Sequence, residues 1–163
     1  MDFLEKTSRN VSLGLVVVGG IFLVGMIVLT CANILLRLVW LPVPGTFELM
    51  GFFGASATAF SLGYTQLKKG HIAVDILIDY FSPRTKRFLA VINSLLCSAF
   101  FVLVAWQLFL KGDTIRRTGE VTETLRIIYH PFIYGAALGC AGLALVLLTD
   151  FVKAIRPEQG GVK

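Results

Sequence analysis

Few residues in this sequence have the type and spacing to do chemistry. The densest group follows Lys68-Lys69-Gly70 and runs from His71 through Asp75 and Asp79 to Phe81. Two carboxylates four residues apart share one helical face, an arrangement that can serve acid–base catalysis. Here Ala73, Val74, Leu77, Tyr80 and Phe81 point away from them. The segment therefore reads as an amphipathic helix lying in a membrane interface, with Asp75 and Asp79 on its wet face. A strand would need alternation, which Ile76-Leu77-Ile78 breaks. The other histidine, His130, also sits at the edge of an apolar run. Cys31, Cys97 and Cys140 each lie alone in a different apolar run, without metal or redox spacing, and read as packing residues. There is no P-loop glycine pattern, no H-E-x-x-H and no Ser/His/Asp set. Neither a catalytic site nor a cofactor or metal site is expected.

The elements that carry these residues are apolar. Hydrophobic residues make up 56% of the 163, and the mean hydropathy is +0.79. The excess lies in four charge-free runs, Asn10 to Leu36, Leu49 to Leu67, Phe88 to Leu110 and Ile127 to Thr149. Crossing ~30 Å of hydrocarbon takes about 20 helical residues. Backbone amides find no water in lipid, so spanning segments must be helical or form a closed barrel. A barrel needs alternating segments of about 10 residues, and these runs do not alternate. The first run is longer than a signal-peptide core and leads into Arg37 and Trp40 without a small-residue cleavage pattern, so it reads as a permanent helix.

The expected fold is an all-α integral membrane domain over 1–156. It has spans at about 10–36, 48–68, 84–110 and 127–152, an interfacial helix at about 71–81 and a disordered tail at 157–163. The net charge is +5. With the N-terminus in the cytoplasm, Lys6, Arg9, Lys68, Lys69, Arg84, Lys86, Arg87, Lys153, Arg156 and Lys163 lie inside; Arg37, Lys111, Arg116, Arg117 and Arg126 lie outside. This bias places both termini in the cytoplasm. The basic residues flank membrane edges and form no stripe, so nucleic acid is not an expected partner.

The connections carry local signals. Trp40, Pro42, Pro44 and Gly45 mark a tight turn near the lipid surface. Thr46 is expected to cap the second helix, with Glu48 in its first turn and available to pair with Arg37. Lys68 and Lys69 fall in the last turn, with Gly70 as the stop. Ser82-Pro83 gives a cap followed by proline at the first helical position. Lys111 to Arg126 reads as the longest polar loop, broken at Thr118-Gly119, and Pro131 is expected to kink the start of the last helix. Within the runs, polar residues are mild: Asn33, Ser56, Thr58, Ser61, Asn93, Ser98 and Gln107. None is an ionisable group at depth, which would mark an ion or substrate path. Gly51, Ala55, Ala59 and Gly63 recur every four residues, and Gly135 and Gly139 repeat the spacing, as ridges on which a partner helix can approach closely.

The stretch Phe47-Glu48-Leu49-Met50 through Leu62-Gly63-Tyr64, followed by Lys68-Lys69-Gly70-His71-Ile72-Ala73-Val74-Asp75, resembles the small membrane subunit (DctQ-like, Q) of tripartite ATP-independent periplasmic (TRAP) transporters. Thr124-Leu125-Arg126-Ile127 and Pro131-Phe132-Ile133-Tyr134-Gly135 resemble that family's approach to its last helix. Glu48, Gly70, His71 and Asp75 are then family-motif residues. The resemblance implies an inner-membrane location among lipids. It also implies two protein partners, a large permease subunit that carries an organic acid with sodium and a periplasmic substrate-binding protein. The small subunit would brace the large one. Two other readings make demands the sequence meets poorly. A haem-ligating membrane anchor needs facing histidines at depth, and His71 and His130 fall on opposite sides. A small homodimeric exporter needs an embedded carboxylate, and Glu48 lies at an edge.

Overall fold

The computed structural model of the protein describes residues 2–39, 41–68 and 82–155. Among these residues four helices carry the fold: α1 (Asp2–Val39), α2 (Thr46–Leu67), α3 (Pro83–Thr118) and α4 (His130–Ile155). Among the described residues there is no strand, only an antiparallel bridge between Val121 and Ile128. Trp40, Gly70, His71, Asp75, the expected interfacial helix at 71–81 and the tail at 157–163 lie outside the described residues.

Among the described residues three helices contain stretches long and apolar enough to cross a membrane: Glu5–Val39, Phe88–Thr118 and His130–Lys153. The second helix, expected as a fourth span, is not among them. Its 22 residues include Thr46, Ser56, Thr58, Ser61, Thr65 and Gln66. It packs between α1 and α4, and a helix sheltered on two sides can carry such residues at less cost than one facing lipid. Thr65 and Ser61 turn their hydroxyls onto the carbonyls of Ser61 and Thr58, 3.0 and 2.9 Å away, which satisfies them within the helix.

At 38 and 36 residues, α1 and α3 are each more than about 50 Å long and outrun the hydrocarbon layer. For α3 this corrects the expected loop, because Lys111 to Thr118 continue the helix. Ile115, 1% exposed, lies on the buried side of that extension, and Gly112 approaches the Tyr134 ring. On its outer side Asp113 takes Arg117 at 2.9 Å and Arg116 at 3.7 Å. Gly119, at φ 67°, then ends the helix in the left-handed conformation that glycine adopts without strain, its N–H donating to the Ile115 carbonyl. Ser82 caps the other end, accepting from the Thr85 amide, with Pro83 at the first helical position.

Two caps differ from expectation. Thr46 does not cap α2; its hydroxyl donates to the Val43 carbonyl, and Gly45 at φ 71° occupies the cap position. A Cβ at Gly45 would run into Leu125, so bulk is excluded there as well as the wrong backbone angle. At the far end Lys68 takes the cap position and its N–H donates to the Tyr64 carbonyl. Helix α4 starts at His130, because residues before it are held in the bridged turn. Pro131 therefore stands in the first turn, where its missing N–H leaves no helical bond unmade.

The helices are unequal in burial. In α4 half of the most apolar window is buried, against 6% in α1 and in α3. Helix α4 is the hub that touches the other three. Its run Gly135-Ala-Ala-Leu-Gly139-Cys-Ala-Gly142 keeps side chains short, so neighbours can approach closely. An aromatic cluster closes the α1–α2–α4 interior: Phe22 meets Phe53, Phe60 and Phe132 at ring separations of 5.5, 6.0 and 6.4 Å, and Phe52 stacks on Phe132 at 4.9 Å.

Candidate functional site

The chemistry-bearing side chains gather at the two ends of the bundle. At the end formed by the start of α1 and the finish of α2 and α4, Gln66 Nε2 donates to Asp150 Oδ2 at 2.9 Å. Lys153 Nζ lies 2.8 Å from Glu5 Oε1. These contacts tie α2 and α1 to α4 where water can solvate what the partners leave bare. An exposed pair of this kind contributes alignment more than stability. Neither contact is visible as a sequence motif, because the partners lie far apart in the chain.

At the opposite end Glu48 is the organising group. Its Oε1 accepts from the Thr124 amide at 2.6 Å and its Oε2 from the Leu125 amide at 3.1 Å. The expected partner Arg37 is not the one it takes. A carboxylate in the first turn of α2 points back past the helix start, and two free backbone N–H groups of the turn lie there. The turn needs this support. Arg126 sits at φ 52°, an unusual angle outside glycine, and the Thr122 hydroxyl accepts from the Ile127 amide at 3.2 Å. Leu125 fills the space beside Gly45. Asn33 serves the neighbouring loop, its Oδ1 accepting from the Val43 amide at 2.9 Å. The two stretches singled out in the sequence, around Glu48 and around Thr124-Leu125, therefore meet in space.

Replacing Glu48 by alanine removes both acceptors, and replacing it by glutamine keeps one oxygen. Amide exchange at Thr124 and Leu125 should rise by about tenfold or more in Glu48→Ala. In Glu48→Gln one of the two should stay protected. Unchanged exchange at both amides in Glu48→Ala would show that the turn holds itself.

The small-residue ridge divides. A Cβ at Gly139 would lie 2.5 Å from the Ala59 carbonyl oxygen, one at Gly63 would lie 3.0 Å from Ser12 Oγ, and one at Gly135 would lie 3.2 Å from the Phe60 ring. Ala59, Gly63, Gly135 and Gly139 thus bring α2, α4 and α1 together. Gly51 and Ala55 stay exposed, with nothing within 4 Å of a Cβ at Gly51. Residues four apart drift by roughly 40° per step around a helix of 3.6 residues per turn. Over three steps the row swings from the open side of α2 to its packed side.

A third feature, not read from the sequence, is an apolar groove of about 860 Å³ between α3 and α4. Ala105, Trp106 and Phe109 line one wall, Ala137, Leu138 and Ala141 the other, and Asp113 and Arg116 close one end. Its two walls are single faces of the two helices, so only the antiparallel pairing of α3 and α4 brings them together. Among the described residues no three His, Cys, Asp or Glu side chains gather as a metal site would require. Cys31 is exposed, Cys140 is buried, and the Cys97 thiol donates within its own helix to Asn93 Oδ1 at 3.6 Å.

Among curated proteins and among solved structures, no match is found. Residues 26–157 match the sequence model of the family described as "Tripartite ATP-independent periplasmic transporters, DctQ component". The matched span takes in both ends of the Glu48 contact, the ridge and the groove. It covers most of the chain, and the protein belongs to the DctQ family of TRAP transporter components.

Proposed function

We propose that this chain is the non-catalytic small permease subunit of a sodium-coupled TRAP transporter for an organic acid, of the dicarboxylate or sialic-acid-like class. In this reading it braces the scaffold of a large permease subunit, which works with a periplasmic substrate-binding protein. The membrane-embedded parts are 10–36, 48–68, 84–110 and 127–152, in the inner membrane, with both termini cytoplasmic. Gly51 and Ala55, the open part of the α2 ridge, are proposed to face the partner, and Gly70, His71 and Asp75 to belong to the family motif without binding substrate.

The observation that supports this reading most is the placing of charge. The ionic and charge-bearing contacts of Glu5, Lys153, Asp150, Glu48, Asp113, Arg116 and Arg117 all lie at the two ends of the bundle. An organic anion crossing hydrocarbon needs compensating polar groups along its path. A bundle that keeps these charged contacts at its ends suits a supporting part of a transporter. Co-expression with a TRAP large permease subunit from the same source tests the assignment: the two chains should co-purify in mild detergent. Separate purification at every detergent strength tried would end the brace reading.

The basic residues motivate a test of orientation. A cysteine at the exposed Thr118 should be labelled by an impermeant maleimide in intact cells, and one at the exposed Ser82 only after lysis. Both sites must be read in a background lacking Cys31, which is itself exposed. Labelling at Ser82 from outside would reverse the topology.

A further inference from the structure

We infer that the groove between α3 and α4 is the seat of one apolar helix of the large permease subunit, with a carboxylate near the end of that helix meeting Arg116. The inference rests on the small-subunit reading above and adds to it a surface and a partner chemistry. The groove runs from Val102 to Arg116 on α3 and from Tyr134 to Leu148 on α4. At ~1.5 Å per residue that is about 21 Å, or four helical turns, on each wall. Ala105, Ala137 and Ala141 line it with short side chains, which admits a helix backbone at close range. Trp106 and Phe109 stand beside these alanines; although Phe109 meets the Tyr134 ring at 5.4 Å, the two remain 60% and 57% exposed, surface that the described residues leave open.

The outer face of α1 is different. It is also apolar and exposed, but residues such as Val24 and Ile21 are not among those that line this groove, and an open apolar face of that kind suits contact with fluid lipid. Charge distinguishes the groove further. At its end Asp113 is shared by two guanidinium groups. Arg117 holds it at 2.9 Å, while Arg116 stands at 3.7 Å with its side chain 63% exposed. One carboxylate against two cations leaves the groove end positive, with Arg116 the less engaged. A lipid could set its phosphate against Arg116, but its flexible chains gain nothing from alanines that admit a backbone. A transmembrane helix with an acidic residue at the membrane surface uses both features.

The test places the photo-crosslinker p-benzoylphenylalanine singly at Leu138, Trp106, Ala55 or Val24 of the full chain, co-expressed with the large permease subunit and the binding protein. Irradiation in membranes at Leu138 and Trp106 should give an adduct with the mass of this chain plus the large subunit, and Val24 should give lipid adducts alone. Arg116→Glu should lower recovery of the large subunit several-fold without lowering the amount of this chain in the membrane. Adducts at Leu138 and Trp106 with a second copy, or with lipid only, would overturn the assignment. If the two subunits still co-purify, and Ala55 alone gives the large-subunit adduct, the groove is wrong and the small-subunit reading stands. If they do not co-purify even without a crosslinker, both fall.

Discussion

Alanine at Gly139 will force α2 and α4 apart, although it adds only one methyl group. The Cβ would stand 2.5 Å from the carbonyl oxygen of Ala59, 2.6 Å from its carbonyl carbon and 2.9 Å from its Cβ. Two of these are backbone atoms of a helix and cannot rotate aside, so the helices must separate. Overpacking of this kind costs about 1–3 kcal/mol. Against it stands the helix propensity that alanine gains over glycine, up to about 1 kcal/mol. Gly51→Ala separates the two effects, because it makes the same propensity change with nothing within 4 Å of the new Cβ. Unfolding by SDS from mild detergent should therefore show Gly139→Ala less stable than the parent protein and Gly51→Ala equal or more stable. Gly139→Leu should fail to assemble. If Gly139→Ala and Gly51→Ala move together, α2 and α4 do not lie as close as the Ala59–Gly139 contact requires.

The same contact shows what the sequence could and could not convey. Long runs without charge announced the helices, because length and hydropathy are local properties. The spacing of Gly51, Ala55, Ala59 and Gly63 likewise announced a face for close packing. It did not say with what, since the choice between α4 and an outside partner depends on how the row rotates relative to neighbours. Helix α3 was misjudged at its end for a related reason. Lys111, Asp113, Arg116 and Arg117 look like a loop when counted as polar residues. They are the outer face of a helix whose inner face, Gly112 and Ile115, is packed. Glu48 was visible as a helix-start carboxylate. Its partners were not, because the Thr124 and Leu125 amides are backbone groups some 76 residues away and carry no side-chain signature. The groove was illegible altogether, since each wall alone is an ordinary apolar face.

Leaving this chain out of vesicles that hold the large permease subunit, with the binding protein outside and an inward sodium gradient, will abolish uptake of the organic acid. Single changes at its own in-membrane polar residues will not. The contrast follows from the proposed division of labour. A scaffold face shaped to lie against protein would meet lipid if the small subunit were missing, whereas the substrate path would hold none of this chain's side chains. Thr58→Val, Asn93→Leu and Gln107→Leu alter exposed positions, and the Asn93 oxygen accepts from Cys97 in the same helix. Hydrogen bonds within membranes average about 0.6 kcal/mol, so each change should shift half-saturation by less than about threefold. Asn33→Leu is the informative member of the set. It frees the Val43 amide at the loop between α1 and α2, so it should lower thermal stability while leaving substrate affinity and sodium dependence unchanged. A tenfold change in half-saturation for the acid, or a changed sodium requirement, from any one of the four would place that residue on the substrate path, and the chain would no longer be a brace.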